Sequence, residues 1–147
     1  MGNVAFNIGK GKIAYYAELG AANDALIAVP LETTGLESDA TLIDYDTLDA
    51  ILAAANNEQT TMGRKTLASV TVTVDDTNNL VKIDAADIVW TAATGNNVNA
   101  LLICYDGDTT AGTDANIVPL FKYDFAVTPA GGDVTAVIHA NGLASAA

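Results

Sequence analysis

The sequence predicts a mainly β fold, a β-sandwich of jelly-roll or immunoglobulin-like type with one short α-helix around residues 46–56. Three observations predict it. Val70-Thr71-Val72-Thr73-Val74 alternates strictly, as a strand with one buried face requires. Ala100-Leu101-Leu102-Ile103-Cys104 is continuously apolar, as expected of a strand covered on both faces. Turn signals recur at short intervals, and a single segment carries clear helical spacing.

Residues 1–12, with Gly2, Gly9 and Gly11, read as an N-terminal arm that orders on contact. Residues 13–19 form an apolar and aromatic run, read as a strand and closed by a turn at Gly20-Ala21-Ala22-Asn23-Asp24. Residues 25–31 are the next strand. Pro30 lacks a ladder donor, which places it near an edge or a strand end. The helix follows, with Leu48, Ile51, Leu52 and Ala55 at i, i+3, i+4 and i+7. Asp44 or Asp46 is expected to cap it, and Asp49 suits the positive end of its dipole. Asn56-Asn57 is expected to end it through the left-handed conformation that Asn tolerates.

The second half reads as β throughout. Residues 70–74 and 80–84 form a hairpin around the turn Asp75-Asp76-Thr77-Asn78-Asn79. Residues 88–91 are a strand, and Thr94-Gly95-Asn96-Asn97 is another turn. Residues 117–127 place Phe121, Tyr123, Phe125 and Val127 on one face, and residues 134–139 alternate in the same way. The expected organisation is a single domain over residues 13–141 with a short tail at 142–147.

Composition narrows the function. The chain has 147 residues and 15.1 kDa, half of them hydrophobic, with a mean hydropathy of +0.28, enough to build a core. Six Lys+Arg stand against 18 Asp+Glu, a net charge of -12. That balance argues against nucleic acid and against anionic membranes as partners, because both need clustered Lys and Arg. Apolar runs of about five residues fall far short of the roughly 20 that span a bilayer. A secretory signal is not evident, and Phe6 stands where an acylation motif at Gly2 wants Ser or Thr. The expectation is a soluble protein made in a reducing cytoplasm. One Cys excludes an internal disulfide, and one His leaves little material for a triad.

The acidic turn from Asp106 to Asp114 is the candidate metal site. Asp106, Asp108 and Asp114 offer oxygens of the kind calcium takes, although the EF-hand pattern fails for want of a Glu at its twelfth position. A solvated Asp/Gly turn is the plainer reading. Lys10, Lys12, Arg64 and Lys65 hold four of the six positive charges and are the candidate contacts to a capsid, an acidic partner or a neighbouring subunit. Gly9-Lys10-Gly11-Lys12 lacks phosphate-loop spacing. His139 has no nucleophile motif near it, and Ser38, Ser69 and Ser145 lie in no Gly-x-Ser-x-Gly sequence. Cys104 reads as a small buried hydrophobe. Trp90, Tyr15, Tyr16, Phe121, Tyr123 and Phe125 are the material for a sugar-binding face, but a β core needs such residues too. No catalytic constellation and no cofactor is expected.

Several segments together resemble a known family. Arg64-Lys65-Thr66-Leu67, the 70–79 hairpin and Asp87-Ile88-Val89-Trp90-Thr91-Ala92-Ala93 carry the likeness. So do Leu102-Ile103-Cys104-Tyr105-Asp106, Ile117-Val118-Pro119-Leu120, Asp124-Phe125-Ala126-Val127-Thr128-Pro129 and Asp44-Tyr45-Asp46-Thr47-Leu48. Over roughly residues 12–140 the chain resembles a family of small acidic virion structural proteins of tailed bacteriophages. The resemblance implies a capsid decoration, or cement, protein on the virion surface. Its partner is then the major capsid protein and its working form a homo-oligomer, trimer or dimer. It implies no catalytic residues. Two alternatives stay open: another virion part (head-fibre base, tail-tube or adaptor protein), or a free carbohydrate-binding β-domain.

Overall fold

Two long strands without a wet face organise the molecule. The computed structural model describes residues 2–146 and is mainly β, with antiparallel sheets and short helices. Its strands are β1 (Val4–Ala5), β2 (Ala25–Glu32), β3 (Lys65–Thr66), β4 (Thr71–Asp75), β5 (Leu80–Asp84), β6 (Ile88–Trp90), β7 (Val98–Asp106), β8 (Val118–Val127), β9 (Val134–Ala136) and β10 (Ala144–Ala146). Its helices are α1 (Ile13–Ala17), α2 (Asp39–Leu42) and α3 (Leu48–Ala53), with a 3-10 turn at Asp114–Asn116. The strands form a five-stranded sheet in the order β1-β8-β7-β2-β3, a three-stranded sheet β10-β5-β4, and the pair β6-β9.

In the large sheet β2 and β7 pair along their whole length and are buried on both faces. Leu26 and Ala28 of β2, Leu101 and Ile103 of β7 and Phe121 of β8 join one core cluster. Ile83 of β5, Ile88 and Trp90 of β6, Ala136 of β9 and Leu143 belong to it as well. Ile27, Val29 and Leu31 of β2 with Ala100, Leu102 and Cys104 of β7 join a second cluster. Phe6, Leu42 of α2, Leu48 and Ile51 of α3, and Ile117 cover that side. Each large aliphatic side chain so enclosed contributes roughly 1.5–3 kcal/mol, so both covers are required.

Several expectations change. Residues 13–19 are not a strand: Ile13, Tyr16 and Ala17 stand at i, i+3 and i+4, and as the single turn α1 they face the first cluster. Leu19 then turns left-handed, at φ 49°. The expected helix at 46–56 is shorter, and Thr47, not Asp44 or Asp46, caps it by accepting from Ala50 N at 3.2 Å. Asn56 does not end it in a left-handed conformation. Its buried side chain reaches back instead, with Nδ2 donating to Ile51 O at 3.1 Å and Oδ1 accepting from Glu37 N at 3.0 Å. One helix was expected, but α2 is a further one, capped by Ser38 with Asp39 in its first turn.

Pro30 lies inside β2, opposite Leu101. Its carbonyl accepts from Gln59 N at 2.9 Å, on the side away from β7, so the missing N–H also faces that side and no β7 bond is lost. The segments read as arm and tail pair within the chain. β1 pairs with β8 and β10 with β5, because Phe6 and Leu143 bury their side chains in the two clusters. Met1 and Ala147, the outer ends of those segments, lie outside the described residues.

Gln59 ties its own loop to the loop between β6 and β7 from a buried position. Its Nε2 donates to Asn96 O at 2.9 Å, and its Oε1 accepts from Thr61 N at 2.8 Å and Met62 N at 3.2 Å. Gly95, at φ +112°, makes room: a Cβ there would stand 2.1 Å from that Nε2. Gln59→Ala strands two donors and one acceptor and is expected to cost on the order of 2–4 kcal/mol in urea unfolding, with an unchanged m-value. A cost below about 1 kcal/mol would show that water replaces the side chain freely.

Candidate functional site

The strongest charge constellation is built on Arg64, just before β3. Its Nε and Nη2 donate to the two carboxylate oxygens of Glu58, at 2.8 and 2.7 Å. Its Nη1 and Nη2 donate to the two oxygens of Asp114, at 2.6 and 2.9 Å. Two fork-to-carboxylate pairs on one guanidinium fix the loop after α3 against the 3-10 turn. The Arg64 hydrogen bond holds the Asp114 carboxyl below the usual carboxylate range, and Asp114 with Glu58 holds the Arg64 proton more tightly than usual.

The second constellation surrounds Lys122 in β8, whose side chain is 0% exposed. Its Nζ donates to Asp39 Oδ1 at 2.9 Å, to Gly2 O at 2.9 Å and to Asp124 Oδ1. Gly2 N donates to the other Asp39 oxygen at 2.6 Å. Burial alone would raise the Asp39 carboxyl, but the bonds from Gly2 and Lys122 outweigh it and hold it low. Sequence reasoning missed this cluster and Glu58. The available signal was Lys122 between Phe121 and Tyr123, a charge inside an apolar strand that needs partners.

The candidate calcium ligands are not brought together. Asp114 is turned into Arg64. Asp106 Oδ1 accepts from Asp108 N at 3.1 Å, and Asp108 Oδ1 accepts from Thr110 N and Oγ1 at 3.0 and 2.6 Å. Those bonds make side-chain turns that shape the loop. Among the described residues no group of three His, Cys, Asp or Glu is placed to hold a metal ion.

The four basic candidates divide. Arg64 is engaged on two sides, whereas Lys65 lies half-buried in β3 at one edge of the large sheet. Lys10 and Lys12 are exposed on the loop after β1, where Lys10 Nζ donates to Asn7 Oδ1 at 2.8 Å. Gly9 on that loop lies against Leu120 of β8, so three strand spacings, about 14 Å, separate it from β3. The four do not form one patch.

Most of the aromatic side chains serve the core. Trp90 is buried, donates its Nε1–H to Gly63 O at 2.9 Å and packs at 6.0 Å from Phe125. Phe121, Tyr123 and Phe125 share the first cluster, as their common face predicts. Burial pushes the Tyr123 phenol up to about 12. Tyr15 differs: it is 70% exposed, edge-on to Tyr16 and beside a hollow of about 350 Å³ shared with Glu18 and Tyr105. His139 is exposed, and its Nδ1 accepts from Asn141 N at 3.1 Å. Cys104 is fully buried, and burial raises its thiol well above the ordinary value. Among the described residues no helix is long and apolar enough to cross a membrane. No protein-family model, curated protein or solved structure matches the chain.

Arg64→Met leaves Glu58 and Asp114 facing each other without their cation. The cluster is partly exposed, so the expected cost at pH 7 lies between that of a surface and a buried pair, about 1–3 kcal/mol. The folded Asp114 pKa is depressed, so its contribution is fully present above the unfolded value near ~3.9 and fades as pH falls through the folded value. Urea midpoints of wild type and variant should therefore converge as the pH is taken below the unfolded carboxylate value. A gap that stays constant with pH would assign the effect to lost packing instead.

Calcium is expected to leave the thermal midpoint where a chelator leaves it. A true site at a hundredfold excess over its dissociation constant would add about 2.7 kcal/mol, a rise plain in calorimetry.

Proposed function

We propose that the protein is a non-enzymatic structural component of a tailed-phage virion. Its role is capsid decoration: binding the outer capsid lattice and bridging capsomers so that the head is stabilised. The observation that carries this reading is what the most firmly held ionisable side chains do. Arg64 and Lys122 fasten distant segments to one another, Glu58 to Asp114 and Gly2 to Asp39 and Asp124. A mechanical part has use for such fasteners, whereas an active site keeps its charges for substrate. The resemblance over roughly residues 12–140 supports the same reading, and so does the strong negative charge, which keeps free copies off DNA.

The partner in this proposal is the major capsid protein, and the working form is a homo-oligomer. Lys10, Lys12 and Lys65 are the basic groups offered to the lattice, with Arg64 stiffening the loop beside Lys65. The β-sandwich class belongs to the proposal as well. One face of the large sheet and residues of both smaller sheets share a single core cluster, which favours it. Bridging adds binding free energy only to the closed shell, and so opposes its opening.

Co-sedimentation with matching capsids that lack the protein tests the proposal. Saturation at a fixed copy number tied to capsomers or lattice vertices is the expected outcome. Binding of only a few copies would assign a portal, neck or fibre position. No binding would sink the proposal and turn attention to saccharides at the exposed Tyr15 ring.

A further inference from the structure

We propose that the outer edge of β4 pairs antiparallel with the same edge of a second copy of this chain, joining two β10-β5-β4 sheets into one. Most other sheet edges are blunted. β1 and β3 are two residues long and β6, β9 and β10 are three. The part of β8 that extends past β1 carries Asp124, whose N–H is already taken by Asn3 Oδ1 at 2.8 Å. β4 has none of these devices. It is five residues, Thr71-Val72-Thr73-Val74-Asp75, without Pro or Lys, and it runs in unbroken register against β5. Among the described residues, no backbone group of that strand bonds to any segment but β5. A regular, β-branched, unpaired edge is a template for another strand.

Side chains point the same way. Val72 packs against the first core cluster, but Val74, two residues on and on the same face, is 67% exposed. Beyond it, Leu80, Val81 and Ala146 line an open hollow of about 280 Å³, so the hairpin projects past the core that would cover it.

Self-complementarity decides the occupant. Residues directly opposite in an antiparallel pair share a face, so a two-fold pairing must centre on a residue. Centring on Thr73 alone pairs all five positions. Val72 then meets Val74 twice, Thr73 meets Thr73, and Thr71 meets Asp75, with no like charges opposed. The interface is smaller than the roughly 1,600 Å² of a standard complex, so the dimer is a reversible one. Each copy carries a charge of -12, so repulsion opposes association and salt should strengthen it, the reverse of an interface built on ion pairs.

Sedimentation equilibrium is expected to show the mass rising from 15.1 kDa toward twice that value with concentration. The dimer fraction should grow from about 0.02 to about 0.5 M salt. Val74→Lys, at an exposed position, should weaken association at least about tenfold while the thermal midpoint of the monomer stays in place. Thr73→Cys should cross-link into dimers under mild oxidation, because the native Cys104 is buried and silent. Thr66→Cys, on the short β3 edge, should not. A monomer at every concentration and salt overturns the inference. So does a dimer indifferent to Val74→Lys, or equal cross-linking from Thr66→Cys. The inference does not rest on the capsid reading: dimers that ignore capsids, or monomers that decorate them, separate the two.

Discussion

Burial of β2 and β7 on both faces is the constraint from which the remaining architecture follows. A strand with one wet face needs a single cover; these two need a cover on each side, from a chain of 147 residues. One side takes two small sheets and α1, the other takes two short helices and Phe6. None of these covers is long enough to persist alone. α3 has six residues and the β6-β9 pair three residues a strand, well below what holds together in water without tertiary support. They exist because they are docked, so the centre and its covers stand or fall together.

That dependence explains what could be read in advance. The strands with strong periodic signatures, β2, β4, β5, β7 and β8, were legible because alternation or an unbroken apolar run reflects burial directly. α3 was legible by its spacing, though its cap was not: Asp44, Asp46 and Thr47 are all competent, and position alone chose Thr47. Of the short covers, β6 and β9 were read as strands at residues 88–91 and 134–139, whereas α1, α2, β1, β3 and β10 were hidden. A one-turn helix such as α1 leaves only Ile13, Tyr16 and Ala17 as its trace, and a two-residue strand leaves none. The site candidates fared unevenly for a related reason. Oxygen-rich spacing suggested a metal site at Asp106, Asp108 and Asp114, but spacing says nothing about a competitor fifty residues away, and Arg64 takes Asp114 first. Lys122 could be seen as anomalous in sequence and Asp124 stands two residues on, yet its other partners, Asp39 in α2 and the Gly2 carbonyl, lie beyond any local pattern.

The scarcity of cations gives each one weight. Of six, Arg64 and Lys122 join separate segments, and Lys82 bonds Ala140 O at 2.9 Å beside Asp84. Half of the positive charge is thus bound up in holding loops and ends in place. What faces solvent is therefore dominated by carboxylates, and Lys10, Lys12 and Lys65, which join no carboxylate among the described residues, stand out against that background more than their number suggests.

The positions of the first and last strands have a mechanical meaning. β1 pairs with the large sheet over only two residues, opposite Phe121 and Lys122, beside the side-chain bonds at Gly2 and Asn3, and β10 pairs with the smaller sheet over three, opposite Val81, Lys82 and Ile83. Tension applied through either end would peel these short ladders while β2, β7 and β8 stayed joined along their full lengths. β1 and β10 thus behave as fuses and the middle of the large sheet as the beam. Any attachment meant to carry strain belongs on the beam.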